Sequence, residues 1–135
     1  QDLFIATAAV ADWRAEAVAE HKIKKGPQGA PTIRFAENPD ILASVAALPR
    51  PPFCVGFAAE TEQLAAHARS KLERKRVALI VGNLGPAAFG RDDNALLLVD
   101  AEGEQALPAD GGRADKLTLA RALVGDLARR LNPRP

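Results

Sequence analysis

Methionine and tyrosine are absent from this chain of 135 residues, cysteine and tryptophan occur once each, and aromatic residues make up only 4%. Each scarcity excludes something. Cys54 has no cysteine to pair with, so an internal disulfide is impossible and a reducing, cytoplasmic setting is expected. It lies in the apolar run Phe53-Cys54-Val55 and reads as a small buried hydrophobe. Aromatic side chains this sparse, and not interleaved with basic ones, argue against a single-stranded nucleic-acid partner. His21 and His67 stand far apart, so no cluster has metal-ligand spacing and no residue is expected to ligate a metal directly. Both histidines are expected at the surface, His67 on a helix. There is no Walker A loop, no G-x-G-x-x-G fingerprint and no Ser/His/Asp arrangement for hydrolysis. No apolar run approaches the length needed to cross a bilayer, which argues against a membrane partner. The first apolar run has an acid before it and no basic region, unlike a secretory signal. A net charge of +1 supplies no global field toward DNA or acidic membranes, so any functional basic patch is local. Having no Met and opening on a strand-like run, the sequence is expected to be part of a longer polypeptide.

What remains suits one compact domain over 1–135: 47% hydrophobic residues and no shift of composition along the chain. Leu3 to Ala8 or Val10 is a continuous apolar run, the mark of a strand buried on both faces in a parallel sheet. Asp12 follows it. Ligands of open α/β sheets bind beyond the carboxyl ends of strands, so Asp12 is either a ligand contact or a turn acid. Ala17 to Lys25 alternates loosely and Thr32-Ile33-Arg34-Phe35 cleanly, with a Gly/Pro-rich stretch between. Together they predict a β-hairpin flap over about 17–36 that must lean on the domain, a partner subunit or a ligand. Asn38-Pro39-Asp40 reads as a helix start, and the helix is expected to run from Pro39 to about Leu48.

Phe53 to Ala58 is a second buried strand, and Glu60-Thr61-Glu62 is expected to open a helix reaching Arg76. On its wheel Leu64, Ala68 and Leu72 form the core stripe, and Lys71 and Lys75 fall within that stripe. They either snorkel along the packed surface or aim their ammonium groups across the top of the sheet at phosphates. Arg69, Glu73 and Arg76 read as ordinary surface. Val77 to Val81 is a third strand, Gly85-Pro86 a turn and Phe89 to Asn94 a polar loop. Ala95 to Val99 is a fourth strand, joined by a tight turn at Ala101-Glu102-Gly103-Glu104 to an antiparallel edge piece, Gln105 to Leu107. A last helix starts near Asp115 and reaches Leu131, with Ala120, Leu123, Val124, Leu127 and Leu131 facing inward and a frayed tail over 132–135. The order predicts a three-layer α/β fold, a largely parallel, Rossmann-like sheet with a hairpin flap and an antiparallel edge. The chemistry available is lysine electrostatics: Lys22, Lys24, Lys25, Lys71 and Lys75 around strand ends bearing Asp12, Phe57 and Asn83, which suits the charge of a phosphate.

Five segments, in order along nearly the whole chain, carry a family resemblance: Ala8 to Arg14, Lys22-Ile23-Lys24-Lys25, Asn38-Pro39-Asp40-Ile41, Val55 to Thr61, and Phe89 to Asn94. The chain resembles bacterial phosphopantothenate–cysteine ligase, the C-terminal half of a bifunctional coenzyme A biosynthesis protein whose other half is an FMN-dependent decarboxylase. The resemblance implies that CTP, with Mg²⁺ assisting, activates the carboxylate of 4′-phosphopantothenate as an acyl-cytidylate, and that the amine of cysteine then displaces CMP. It implies that Ala6, Thr7, Ala8 and Asp12 line the nucleotide site. Pro39, Asp40 and Ile41 would contact the nucleotide with Phe57 beside it, and Lys71 and Lys75 would hold the triphosphate. Lys22 would be catalytic, stabilising the reacting phosphate and the acyl intermediate. It also implies a homodimer, built here through the flap. Trp13 stands where the family usually has Tyr, and Gly82-Asn83-Leu84 replaces the usual Ala-Asn-Asp. The family's opening glycine-rich strand-loop-helix segment has no counterpart, so this chain is expected to supply mainly the CTP-binding part and to turn over weakly by itself. The competing reading is a non-catalytic module that binds a phospholigand or dimerises.

Overall fold

The chain is described here from a computed structural model covering residues 1–27, 29–84 and 90–132. The Gly85-Pro86 turn, Phe89 of the polar loop and the tail from 133 onward lie outside the described residues. Internal contacts divide the chain into two units, Gln1–Thr7 with Leu42–Pro135, and Ala8–Ile41.

The larger unit is built on a five-stranded sheet. Its first strand is β1 (Leu3–Ala6). The smaller unit's β2 (Trp13–Ala15) and β3 (Phe35–Glu37) come next in the chain, followed by helix α1 (Ile41–Ala46). Strand β4 (Phe53–Glu60), helix α2 (Leu64–Lys75) and strand β5 (Leu79–Leu84) succeed them. The short β6 (Asp93–Asn94) precedes β7 (Leu96–Val99), β8 (Glu104–Leu107), β9 (Ala114–Asp115) and helix α3 (Lys116–Leu131). The sheet order is β1-β4-β5-β7-β8. Strands β1, β4 and β5 pair in parallel, with Ile5 opposite Val55 and Val55 opposite Leu79. Strands β7 and β8 add antiparallel, so four of the five strands run one way. The short run between β5 and β7 suits an antiparallel pairing, since a parallel one needs a long crossover.

Strand β4 explains the layers. Its residues alternate between two faces, and both faces are apolar, so both must be covered. Cys54 and Ala58 join Ile80 and Val99 under Leu42 of α1 and Ala68 and Leu72 of α2. Val55 joins Leu79, Val81 and Leu98 under Leu119, Leu123 and Leu127 of α3. The expected three-layer α/β architecture is therefore present, with the parallel strands β1, β4 and β5 side by side in its sheet. Cys54 is buried as expected, and burial pushes its thiol up. Among the described residues, no helix is long and apolar enough to cross a membrane.

Several boundaries differ from expectation. Strand β4 runs on to Glu60, which pairs with Leu84, so Glu60 ends a strand and α2 begins only at Leu64. Helix α2 stops where Arg76 turns left-handed (φ 52°) and donates its N–H to Glu73 and Leu72 carbonyls. Strand β5 starts two residues later than predicted and extends to Leu84. On α3 the buried stripe is Leu119, Leu123, Asp126 and Leu127, whereas Ala120 and Val124 are exposed. Asp126, absent from the predicted inward face, is buried there through its ion pairs with Arg129 and Arg130. Asn132, placed in the frayed tail, donates its N–H to the Ala128 carbonyl and closes the helix.

The smaller unit departs most. Residues 17–25 form no strand; the ribbon is only β2 paired antiparallel with β3, Trp13 opposite Glu37 and Ala15 opposite Phe35. Alternation alone is weak support for a strand without a buried face, and all of 17–25 is exposed. Asn38 is not a helix cap. Its side-chain amide donates to the Ala11 carbonyl at 2.7 Å, its backbone N–H to the Asp12 carbonyl at 2.8 Å, and its side-chain oxygen accepts from Arg14 at 3.1 Å. These bonds tie off the base of the ribbon, which leaves the helix to begin at Ile41 rather than Pro39.

Two glycines set how closely the α1 and α2 layer can approach the sheet. A Cβ on Gly56 would lie 2.6 Å from Leu42 Cδ2 and 2.8 Å from Ile80 Cδ1, and one on Gly82 would lie 2.8 Å from Leu64 Cδ1. Gly56→Val overpacks this interface, and we expect a loss of about 1–3 kcal/mol of stability in urea unfolding; an unchanged midpoint would contradict the packing described.

Candidate functional site

The carboxyl ends of the parallel strands are where an open α/β sheet binds ligands. Here those ends are staggered. The register between β1 and β4 stops at Ala6 opposite Gly56, whereas β4 continues beside β5 through Glu60. Residues 57–60 therefore form a shelf flanked by β5, next to the point where the chain leaves β1. Ala6 and Phe57, both expected in the nucleotide site, lie at this place, and Thr7 follows Ala6 as an exposed residue.

Helix α2 sends side chains to the shelf. Lys71 Nζ donates to the Phe57 carbonyl at 2.6 Å, which joins two of the predicted site residues directly. Lys71 and Lys75 are both half-buried, in keeping with their place on the wheel inside the core stripe. One turn before Lys71, His67 Nδ1 lies 3.1 Å from Glu60 Oε2. His67 lies on the helix surface, as expected, nearly half exposed but with a specific partner. Helical spacing places Gln63 and His67 on the column of Lys71 and Lys75, and a search for cations at i, i+4 and i+8 would have found the histidine.

The smaller unit holds the other predicted residues. Asp12 and Pro39 are brought near each other through the hydrogen bond from Asn38 N–H to the Asp12 carbonyl. The Ala8 carbonyl accepts from Val10 N–H at 3.1 Å. Asp12, Pro39, Asp40 and Ile41 are all exposed, as are Lys22, Lys24 and Lys25. Lys22 has no hydrogen bond or ion pair among the described residues.

Two charged clusters flank the fold. The ribbon of β6 and β9 is held by Asp93, which accepts from Arg91 Nε at 2.7 Å and Arg113 Nε at 2.9 Å. The Arg91 hydrogen bond, then that of Arg113, keeps the Asp93 carboxyl well below the usual carboxylate range. Next to it Asp115 caps α3, its Oδ1 accepting from Thr118 N–H at 2.9 Å. This explains the polar loop segment after Gly90 as an anchor for the start of α3. The second cluster lies at the opposite end of the sheet, where Val99 pairs with Ile80. There Arg130 bridges Asp126 and Asp100, each at 2.5 Å, beside a polar cleft of about 440 Å³. Arg69, taken from sequence as ordinary surface, donates to the Asp100 carbonyl at 3.2 Å. The network pins the hairpin between β7 and β8 to α2 and α3. The signal for it was the spacing of Asp126 ahead of Arg129 and Arg130.

A three-layer α/β domain with a strand-end shelf belongs to the class of open α/β sheets, whose ligands bind beyond the carboxyl ends of the strands. Sequence comparison gives the family: residues 1–131 match the DNA/pantothenate metabolism flavoprotein C-terminal domain, and the chain belongs to that family. It is 50% identical over 111 residues to the coenzyme A biosynthesis bifunctional protein CoaBC of Vibrio cholerae serotype O1, covering 78% of this chain and 28% of that protein. It is 47% identical over 116 residues to CoaBC of Escherichia coli strain K12, covering 82% of this chain and 29% of that protein. The chain thus spans under a third of the length of these curated relatives. Its fold is similar to the crystal structure of the C-terminal domain of CoaBC (TM-score 0.72, 26% identity), covering 98% of this chain and 56% of that one.

Burial pushes the Asp100 carboxyl up, but hydrogen bonds from Arg130 and from the Gly103 and Glu102 N–H groups outweigh it and hold it below its ordinary range. A depressed carboxylate stabilises the fold above its unfolded-state pKa, about 3.9, and that contribution is lost as pH falls through the lower folded value. Urea midpoints should therefore drop below about pH 4, and less steeply in Arg130→Gln. At neutral pH, Arg130→Leu leaves Asp126 and Asp100 without their shared cation and should cost about 3–5 kcal/mol, read by the same melts.

Proposed function

We propose that this chain is the nucleotide-binding part of a phosphopantothenate–cysteine ligase acting in coenzyme A biosynthesis. The observation that carries the reading is the 2.6 Å bond from Lys71 to the Phe57 carbonyl at the strand-end shelf. It holds one ammonium group where an α/β sheet receives phosphates, and Lys75 follows one turn along. Family membership and the 50% identity to a bifunctional CoaBC support the same reaction.

In this reading CTP is the nucleotide. Lys71 and Lys75 hold its phosphates, Phe57 and the residues from Ala6 to Ala8 line the nucleotide, and Asp12, Pro39, Asp40 and Ile41 complete the contacts. The carboxylate of 4′-phosphopantothenate attacks the α-phosphorus of CTP, which forms the acyl-cytidylate and releases pyrophosphate. Lys22 stabilises the charge that builds up on the reacting phosphate. The amine of cysteine then attacks the acyl carbon and CMP leaves. Mg²⁺ would accompany the triphosphate and help to neutralise its charge. The chain spans under a third of its curated relatives' length; in this reading it binds CTP and by itself turns over weakly.

A homodimer through the smaller unit is part of the proposal. Val18 (89% exposed), Ile23 (63%), Ile33 (59%) and Phe35 (64%) would otherwise present apolar surface to water, which suits a subunit contact. That exposure also favours the second reading, a dimerisation module without catalysis.

Three outcomes follow. Calorimetry should detect CTP binding by this chain, weakened about tenfold in Lys71→Ala; equal affinity in the variant removes the phosphate role. Pyrophosphate release with 4′-phosphopantothenate should be slow, and robust release would show that nothing outside the chain is needed. In a full-length bifunctional protein carrying this segment, Lys22→Gln should lower kcat by about a hundredfold or more with the dimer intact. Unchanged turnover in that variant would favour the non-catalytic module.

A further inference from the structure

The column on α2 that carries Lys71 and Lys75 has a third potential cation that no role has absorbed. His67 is one turn nearer the start of the helix, at i and i+4 to Lys71, so its side chain lies on the same face. Its ring is tied down: Nδ1 is 3.1 Å from Glu60 Oε2, and Glu60 is the last residue of β4. The two bonds from α2 to the shelf are thus alike. Lys71 reaches Phe57 and His67 reaches Glu60, the two ends of the segment of β4 that runs past β1.

An ionised carboxylate can only accept, so the Glu60 contact requires the proton on Nδ1. That fixes the ring's orientation and leaves Nε2 as its other polar atom. The side chain is 48% exposed, so a ligand can reach it, while the Glu60 carboxylate is only 28% exposed and backs it from the strand. A polyphosphate lying along the column would accept from Nε2–H of the imidazolium, a charge-assisted bond of the strong kind.

We propose that His67 is a binding residue for the phosphates of a nucleoside triphosphate, presented through Nε2, and that Glu60 is its positioning residue. This rests on the reading of Lys71 and Lys75 as phosphate ligands and adds a third member to that column. Glu60 acts only through the ring; facing the ligand directly, its charge would repel phosphate.

The test is isothermal titration of the chain with CTP and with CMP, across wild type, His67→Ala, His67→Lys, Glu60→Ala, Glu60→Gln and Lys71→Ala, each checked for an unchanged thermal melt. His67→Ala should weaken CTP about tenfold and CMP little, because the contact is to the outer phosphates. His67→Lys should restore CTP affinity. Glu60→Ala should weaken CTP about threefold and Glu60→Gln less, since the amide oxygen can still accept from Nδ1–H. If Lys71→Ala weakens CTP but His67→Ala leaves it as in wild type, the role of His67 is overturned and the phosphate reading stands. If wild type does not bind CTP, or Lys71→Ala has no effect, both are overturned.

Discussion

Burial of strand β4 on both faces is the constraint from which the rest follows. From Phe53 to Ala58 nearly every side chain is apolar, and the strand has a neighbour on each side, β1 and β5. Neither face can be left to water, so α1 and α2 must cover one and α3 the other. Gly56 and Gly82 let the first layer come close. The same strand outruns β1 by the length of the shelf, and this stagger creates a place where a backbone carbonyl at the carboxyl end of the sheet meets a cationic side chain from α2. Packing and candidate chemistry are thus consequences of a single element's length and pattern.

Lys71 shows how the two are joined. Its stem lies in the stripe that packs α2 on the sheet, and its ammonium is held by a strand carbonyl instead of wandering in water. Of the two alternatives left open by the wheel, the packed stem of snorkelling is seen, with its ammonium on a strand carbonyl; the aim at phosphates belongs to the proposal. A cation held this way has little side-chain entropy left to lose when a phosphate arrives. The charged networks at Asp93 and at Arg130 serve a different purpose, fixing the start of α3 and the far hairpin so that the layers keep their positions.

Much of the fold was legible because continuous apolar runs such as Leu79 to Val81 announce strands buried on both faces, and Pro and Gly mark where they stop. The parts that misled share a cause: they depend on partners distant in sequence. Asn38 has the composition of a helix cap, yet its hydrogen bonds go back to Ala11 and Asp12. Residues 17–25 alternate like a strand, yet nothing buries their apolar side. Asp126 was absent from the predicted inward face because a carboxylate is seldom buried, and its pairing with Arg129 and Arg130 lets it be so. In the candidate site, Lys71 and Phe57 were legible from periodicity and strand ends. The bond between His67 and Glu60 was not, since a strand and a helix must first be placed side by side.

The central claim is that the shelf of β4 and the cationic column of α2 receive a nucleotide's phosphates. Backbone amide NMR of the isotopically labelled chain, titrated with CTP, tests it most directly. The account predicts the largest shift changes at Ala6 and Thr7, over residues 57–60 and along α2 from His67 to Lys75, with the Asp100 and Arg130 cleft unmoved. An unchanged spectrum at saturating CTP, or changes confined to that cleft, would contradict it.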